Sequence, residues 1–445
     1  MSVSRARRLC AALVALALPA PTLASDAEVR ALRDELEAMR QHYEARIDAL
    51  EQRVARAEAA AREPRREPPL PPVSAGASSA SAFNPAVSLI LQGRAAGFGR
   101  EQGHRDVPGF LTSDETGVGP EGLSLSETEL DFSANVDDFF YGFASVALDQ
   151  EDAETSIELE EAYLQTLKLP QGLTVKAGRF FSGIGYLNSR HSHTWDFVDA
   201  PLAYEAMLGT QLGDTGVQLT WVAPTETYLE LGGEILRGSG FPGGGSAHDG
   251  FGSTALFGKL GGEVGDSHTW QAGLSWLRAR PRGRETPGEG GDLYSFDGSS
   301  DVLIADLVWK WAPHGNYRER NLILQAEYLH RIEDGKLVVT SPGGELRSSY
   351  DGRQDGVYAQ AAYQFMPHWR AGLRYDHIWS DNRFAAPGLL DDDSSQRVSA
   401  MVDFSRTEFS RLRLQWNHDF GGIRGDDAVF LQYIMSLGSH GAHTF

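Results

Sequence analysis

The chain has 445 residues and a formal net charge of −21, with 40 Lys plus Arg against 61 Asp plus Glu. That balance excludes a nucleic-acid binder, which needs a basic face. A single Cys excludes a disulfide framework and a Cys-based zinc or iron–sulfur site, and 49 Gly with 10% aromatics suit a β-rich chain with many turns.

Arg5, Arg7 and Arg8 precede an apolar run from Leu9 to Leu18, and Thr22-Leu23-Ala24 offers small residues for cleavage. This is the pattern of an export signal spanning residues 1–24. Its removal takes Cys10 and three Arg with it, moving the charge from −21 to −24. A Cys-free, acidic, exported protein fits the periplasm or outer membrane of a Gram-negative bacterium. Residues 25–61 follow without Pro or Gly. Val29, Leu32, Leu36, Met39 and Tyr43 stand at alternating spacings of three and four, and Ile47, Leu50 and Val54 continue after a stutter. Charged residues flank this narrow seam, so the segment reads as a periplasmic coiled coil that self-associates. Residues 62–86 carry Pro64, Pro68, Pro69, Pro71, Pro72 and Pro85 with a Ser/Ala run, a spacer with no core of its own.

From residue 87 to 445 the hydrophobic period is two. Trp369, Ala371, Leu373, Tyr375, His377 and Trp379 alternate with His368, Arg370, Gly372, Arg374 and Asp376. Val398, Ala400, Val402 and Phe404 alternate with Arg397, Ser399, Met401 and Asp403. No apolar run beyond residue 25 approaches the ~18 residues of a membrane helix, so a membrane is crossed here by strands. Sixteen segments begin near residues 87, 123, 139, 156, 171, 214, 226, 251, 267, 300, 319, 353, 368, 395, 408 and 426. Short turns, such as Val136-Asp137-Asp138 and Val264-Gly265-Asp266, alternate with longer connections at 99–122, 182–213, 238–250, 281–299, 333–352 and 381–394. An even strand count with this asymmetry predicts a 16-stranded antiparallel transmembrane β-barrel. Such a barrel has a wide interior, and polar inward faces call for water.

The candidate pore-lining residues are Arg370, Arg374, Arg397, Arg411 and Arg413 on one wall and Glu127, Glu129, Asp131, Glu230 and Glu234 on others, with Glu158, Glu160 and Glu327 also inward. Walls of opposite sign that face each other would set a transverse field across the pore. The 182–213 connection is the longest, and loops of that length are commonly functional. Its Arg190, His191, His193, Asp196 and Asp199 are the candidate constriction. His191 and His193 are two apart, a spacing that puts both rings on one face of an extended segment, with Asp196 as a third potential metal ligand. Zinc is the ion such a set would take, although solvated loop histidines are the plainer expectation and no cofactor is required. Neither a Gly-x-Ser-x-Gly elbow nor a His-Glu-x-x-His motif is present, and the chain reads as a non-enzyme.

The run Glu160-Glu161-Ala162-Tyr163-Leu164, followed by Leu169-Pro170-Gln171-Gly172-Leu173 and Ala177-Gly178-Arg179-Phe180-Phe181, resembles the outer-membrane porins related to the phosphate-selective porins O and P, as does Glu129-Leu130-Asp131-Phe132. The resemblance implies sixteen-stranded trimeric barrels, some with an N-terminal coiled coil. The phosphate-selective members line the pore with Lys and Arg, whereas this chain has Lys only at 168, 176, 259, 310 and 336. An acidic protein favours cations or neutral solutes instead. The ending from Ser436 to Phe445 resembles the tail of zinc-regulated outer-membrane receptors, and within it His440 and His443 are metal candidates.

Together these readings predict a homotrimeric outer-membrane porin passing small hydrophilic solutes or ions by passive diffusion, with its stalk in the periplasm. A metal-linked uptake protein and an anchor reaching the cell wall through the coiled coil are the alternatives. The expected surroundings are outer-membrane lipid and lipopolysaccharide, the latter bridged by divalent cations at Glu151-Asp152-Ala153-Glu154 and Asp391-Asp392-Asp393.

Overall fold

A computed structural model describes residues 85–438, apart from 100–106, 114, 115, 118, 152, 153, 245–249, 289, 290, 385–392 and 422–426. The expected signal peptide, the coiled coil, nearly all of the linker, and His440 and His443 lie outside the described residues.

The chain folds into sixteen antiparallel strands, each paired with its neighbours in sequence. They are β1 (Ala86–Phe98), β2 (Gly122–Asn135), β3 (Phe140–Glu151), β4 (Glu154–Thr166), β5 (Leu173–Phe181), β6 (Gly213–Val222), β7 (Tyr228–Leu236) and β8 (Ser253–Val264). After these come β9 (His268–Ala279), β10 (Leu293–Trp311), β11 (Asn321–Ser341), β12 (Gly344–Met366), β13 (Trp369–Phe384), β14 (Ser394–Thr407), β15 (Ser410–Gly421) and β16 (Asp427–Gly438). A further strand piece, Arg284–Pro287, pairs with the start of β10 and continues β9 past a break. β1 pairs with both β2 and β16, for example Gly93 opposite Tyr433, so the sheet closes and leaves no edge.

The two faces differ as the alternation requires. Leu231, Ile235, Leu303, Leu307, Leu324, Leu373, Leu412, Leu414 and Leu431 stand exposed on the outer wall. An apolar belt of that size belongs against lipid, since water-soluble surfaces do not carry it. Tyr228, Trp369, Phe409 and Trp416 are exposed aromatics of the same barrel. The inward face holds Glu129, Glu234, Glu327, Arg374, Arg397 and Arg413, all buried.

The structure bears out the sixteen-strand barrel and revises two connections. The segments at 281–299 and 333–352, expected as loops, are largely strand. β11 and β12 run 21 and 23 residues and meet in a tight turn between Ser341 and Gly344. The apolar alternation stops where lipid stops, but the backbone ladder continues beyond it. Side-chain pattern therefore underestimates strand length there.

Candidate functional site

The connection between β5 and β6 does not leave the barrel; it turns into the lumen. Its centre is a short helix, α1 (Leu202–Leu208), of good helix formers entered after Pro201 and ended by Gly209 at φ 61°. All seven helical residues are buried, which in a helix means protein on every side. Leu202, Ala203, Tyr204, Ala206, Met207 and Leu208 form one apolar cluster with Leu236, Ala255, Phe257, Leu277, Val302, Ile304, Leu329, Tyr358 and Ile378 of the wall. The rest of the connection reaches the remaining walls. Ser192 meets Gln92 of β1, His191 packs against Phe143 of β3, and Val198 packs near Phe430 of β16. Between these contacts and those below, the loop meets strands on all sides of the barrel.

Polar side chains of the wall hold this loop by its backbone. Glu327 on β11 accepts from the backbone N–H groups of Tyr186 (3.1 Å) and Leu187 (3.0 Å) and from the hydroxyls of Tyr204 (2.8 Å) and Tyr358 (2.6 Å). Glu234 on β7 accepts from Ser182 Oγ (2.5 Å) and the Gly183 N–H (2.7 Å). Asp376 on β13 accepts from the Leu202 N–H at 3.0 Å. Asp199 of the loop is the counterpart. Its carboxylate accepts from Arg374 (3.0 Å), Arg397 (2.7 Å), Gln415 (2.6 Å) and Asn417 (2.8 Å), from three adjacent strands. Asp196 pairs with Arg370 at 2.7 Å, and the Trp195 carbonyl accepts from Arg413 at 2.7 Å.

The first long connection lies over the same plug. Leu111 packs with Phe296, Leu337, Val339 and Tyr350 on the extended ends of β10 to β12. The Gly109 carbonyl accepts from Asn382 (2.7 Å), the Thr112 carbonyl from Thr286 (2.8 Å), and Thr116 Oγ1 donates to the Glu205 carbonyl at the helix (3.2 Å). On the side of the short turns a vestibule of about 1350 Å³ remains, lined by Arg190, Asp196, Lys310, Arg370 and Arg411 among others.

A second polar cluster joins the loop to β2 and β4. His193 Nδ1 lies 2.7 Å from Glu129 Oε1, and His191 Nδ1 lies 3.0 Å from Glu129 Oε2 and 3.7 Å from Glu160 Oε2. His191 Nε2 meets Glu161 Oε2 at 3.0 Å. Ser192 Oγ donates to Glu127. Burial resists charging His191, but the three carboxylates outweigh that cost and hold its pKa well above the ordinary imidazole value.

Several sequence expectations change in this light. Arg370, Arg374, Arg397, Arg411, Arg413, Glu127, Glu129, Asp131 and Glu234 do face the lumen. However, Arg374, Arg397, Arg413, Glu129 and Glu234 are 2% exposed or less, so they fasten the loop and do not border water. Glu230 stands near the short-turn end, where the Tyr228 hydroxyl donates to it at 2.7 Å. The Arg-rich wall is also neutralised where it stands. Arg370 pairs with Asp403 (2.6 Å), Arg374 with Asp376 (2.9 Å) and Arg397 with Asp419 (2.6 Å). Its strands, β13 to β15, are separated from β2 only by β16 and β1, whereas Glu230 and Glu234 on β7 stand half-way round the ring from β15. Asp196 is committed to Arg370 and does not join the two histidines; Glu129 takes that place. Glu158 is exposed beside Arg179. Glu161 and Glu205 were missed by sequence reasoning. A bulge opposite Ser145 and Val146 brings Glu160 and Glu161 to the same side, which a strict period of two forbids. Glu205 contacts Arg397 at 3.3 Å from a helix that strand periodicity does not reveal.

No family model matches the chain. It is 31% identical over 396 residues to an uncharacterized protein of Aquifex aeolicus, covering 82% of this chain and 81% of that one. The chain belongs to the family of that protein. Among solved structures it is similar to a loop L8 deletion mutant of OmpT, an outer membrane protein of Vibrio cholerae. That likeness has a TM-score of 0.50 at 10% identity, covering 80% of this chain and 99% of that chain. At that identity the likeness is one of fold, a porin-like barrel.

Proposed function

We propose that this protein is an outer-membrane channel for small hydrophilic solutes or ions in which the inward loop is the barrier. The observation that carries the reading is the loop spanning 182–212, fastened on all sides to the wall of a closed barrel whose outer face is apolar. A closed barrel with a polar, charge-rich interior is the membrane structure suited to passive permeation. Chemistry plays no part, and the residues that decide flow are those that release or retain the loop. The signal peptide, the homotrimer, the periplasmic stalk and contact with lipopolysaccharide accompany this reading as proposals resting on the sequence. Kinship with the phosphate-selective porins O and P rests likewise on the motifs at residues 129–132 and 160–181.

Planar-bilayer conductance in a salt gradient tests the proposal. The wild-type protein is expected to conduct little, and a barrel with residues 188–211 replaced by a short Gly/Ser link to conduct in large steps with a defined reversal potential. A shortened barrel that keeps its heat-modifiable mobility yet stays silent would sink the channel and favour a structural anchor, with which a filled lumen also agrees.

A further inference from the structure

We infer that the cluster joining the loop to β2 and β4 is a binding site for a divalent transition-metal ion, with Glu129, His191 and His193 as ligands. The site goes beyond the channel reading and does not depend on it.

The donor set comes first. Borderline cations of the zinc type take imidazole nitrogen and carboxylate oxygen together, at ~2.0–2.2 Å, so that donors around a tetrahedral ion stand ~3.4 Å apart. Here Nδ1 of His193 and Nδ1 of His191 lie 2.7 Å and 3.0 Å from the two oxygens of Glu129, and Glu160 Oε2 lies 3.7 Å from His191 Nδ1. The ligand atoms of Glu129, His191 and His193 all fall within 4.8 Å of one another. These separations bracket the spacing of donors around such an ion. Glu160 is placed to complete the set.

The outer partners agree. His191 Nε2 donates to Glu161 at 3.0 Å. A carboxylate on the far nitrogen fixes the ring and its tautomer, and directs the near nitrogen at the ion, the arrangement common behind metal-bound histidines.

Two further observations point to a missing cation. Glu129 is fully buried, and its Oε2 accepts no hydrogen bond, being in ion-pair contact with His191 only. With His191 neutral, as ligation requires, a buried carboxylate oxygen in that state is costly unless the charge of an ion meets it. Glu127, Glu129, Asp131, Glu160 and Glu161 are five carboxylates, faced by two imidazoles and the Lys176 ammonium on β5. Acidic side chains thus outnumber basic ones five to three around the three ligands, a setting that favours a bound cation. An entry path exists too, since His193 lines the vestibule.

The ion would tie the loop to β2, adding a removable fastening to the plug. Purified, folded protein, freed of metal by chelator and dialysed, is titrated with Co²⁺ and then Zn²⁺. One Co²⁺ per chain is expected, with visible absorption of a low-symmetry nitrogen–oxygen site that Zn²⁺ abolishes. Glu129→Gln, which keeps the shape of the side chain, is expected to weaken binding at least ~100-fold. His191→Ala with His193→Ala is expected to remove the absorption while the heat-modifiable barrel persists. Absence of binding in the wild type overturns the site, and so does binding unchanged in both Glu129→Gln and the double variant. Because the readout is equilibrium binding, failure here leaves the conductance test untouched, and a silent barrel that binds Co²⁺ sinks only the channel.

Discussion

At the scale of single residues, the barrel interior uses charge as fastening. Asp199 gathers two guanidiniums and two amides from β13, β14 and β15 by direct hydrogen bonds. Such a group is stabilising only while complete, because removing one partner strands the others in a medium that solvates them poorly. Asp199→Ala is therefore expected to cost about 3–5 kcal/mol of local stability. It should lower the temperature at which the barrel loses its heat-modifiable mobility and raise channel opening in bilayers. An unchanged current would show that this corner of the loop is not what closes the lumen. The conservative change Asp199→Asn retains hydrogen-bond acceptance and should fall between the two.

At the scale of elements, α1 and the bulge in β4 shape the interior. The helix is seven residues long, too short to hold itself in water, so its packing in the lumen must supply its stability. Met207→Ala leaves a void in a fully buried position and is expected to cost about 2–5 kcal/mol, read as faster proteolysis of the loop in an otherwise intact barrel. Gly209 ends the helix at φ 61°, with its backbone N–H donating to the Tyr204 carbonyl. Gly209→Ala is expected to cost about 1–2 kcal/mol, because a Cβ crowds that left-handed conformation. The same Cβ would also sit 3.0 Å from Phe241 and 3.1 Å from Ser113, against neighbouring connections. Equal protease sensitivity of wild type and both variants would show that the helix is not held by packing.

At the scale of the whole molecule, the closed ring removes every sheet edge and places an apolar belt outside. The fill of the lumen separates two questions that sequence reasoning had joined: whether the protein spans a membrane and whether it stands open. A sixteen-strand ring has room for a water-filled passage, but here the connections after β1 and β5 occupy that room. If the segment at residues 26–60 clamps a trimer, its deletion should loosen the assembly in detergent while the barrel stays folded. A trimer that survives the deletion would place the clamp in the barrel walls.

Strand count, strand direction, the inward and outward faces and most strand starts were legible because each is a local property. A period of two over ten residues needs no knowledge of the partner strand. Thirteen residues of β1 and fourteen of β14 show it without reference to anything distant. His191, His193, Asp196 and Asp199 were legible as a polar group in a long loop, but not their partners. Which carboxylate meets which ring depends on the loop's path across a lumen some sixty to two hundred residues away in sequence, as the contacts of His193 with Glu129 and of Asp199 with Arg397 illustrate. The sequence by itself determined a membrane barrel with charged walls, since alternation and turn asymmetry admit little else. Only the tertiary structure decided that those charges hold a plug, because burial and pairing of an ionised side chain arise when distant segments exclude water between them.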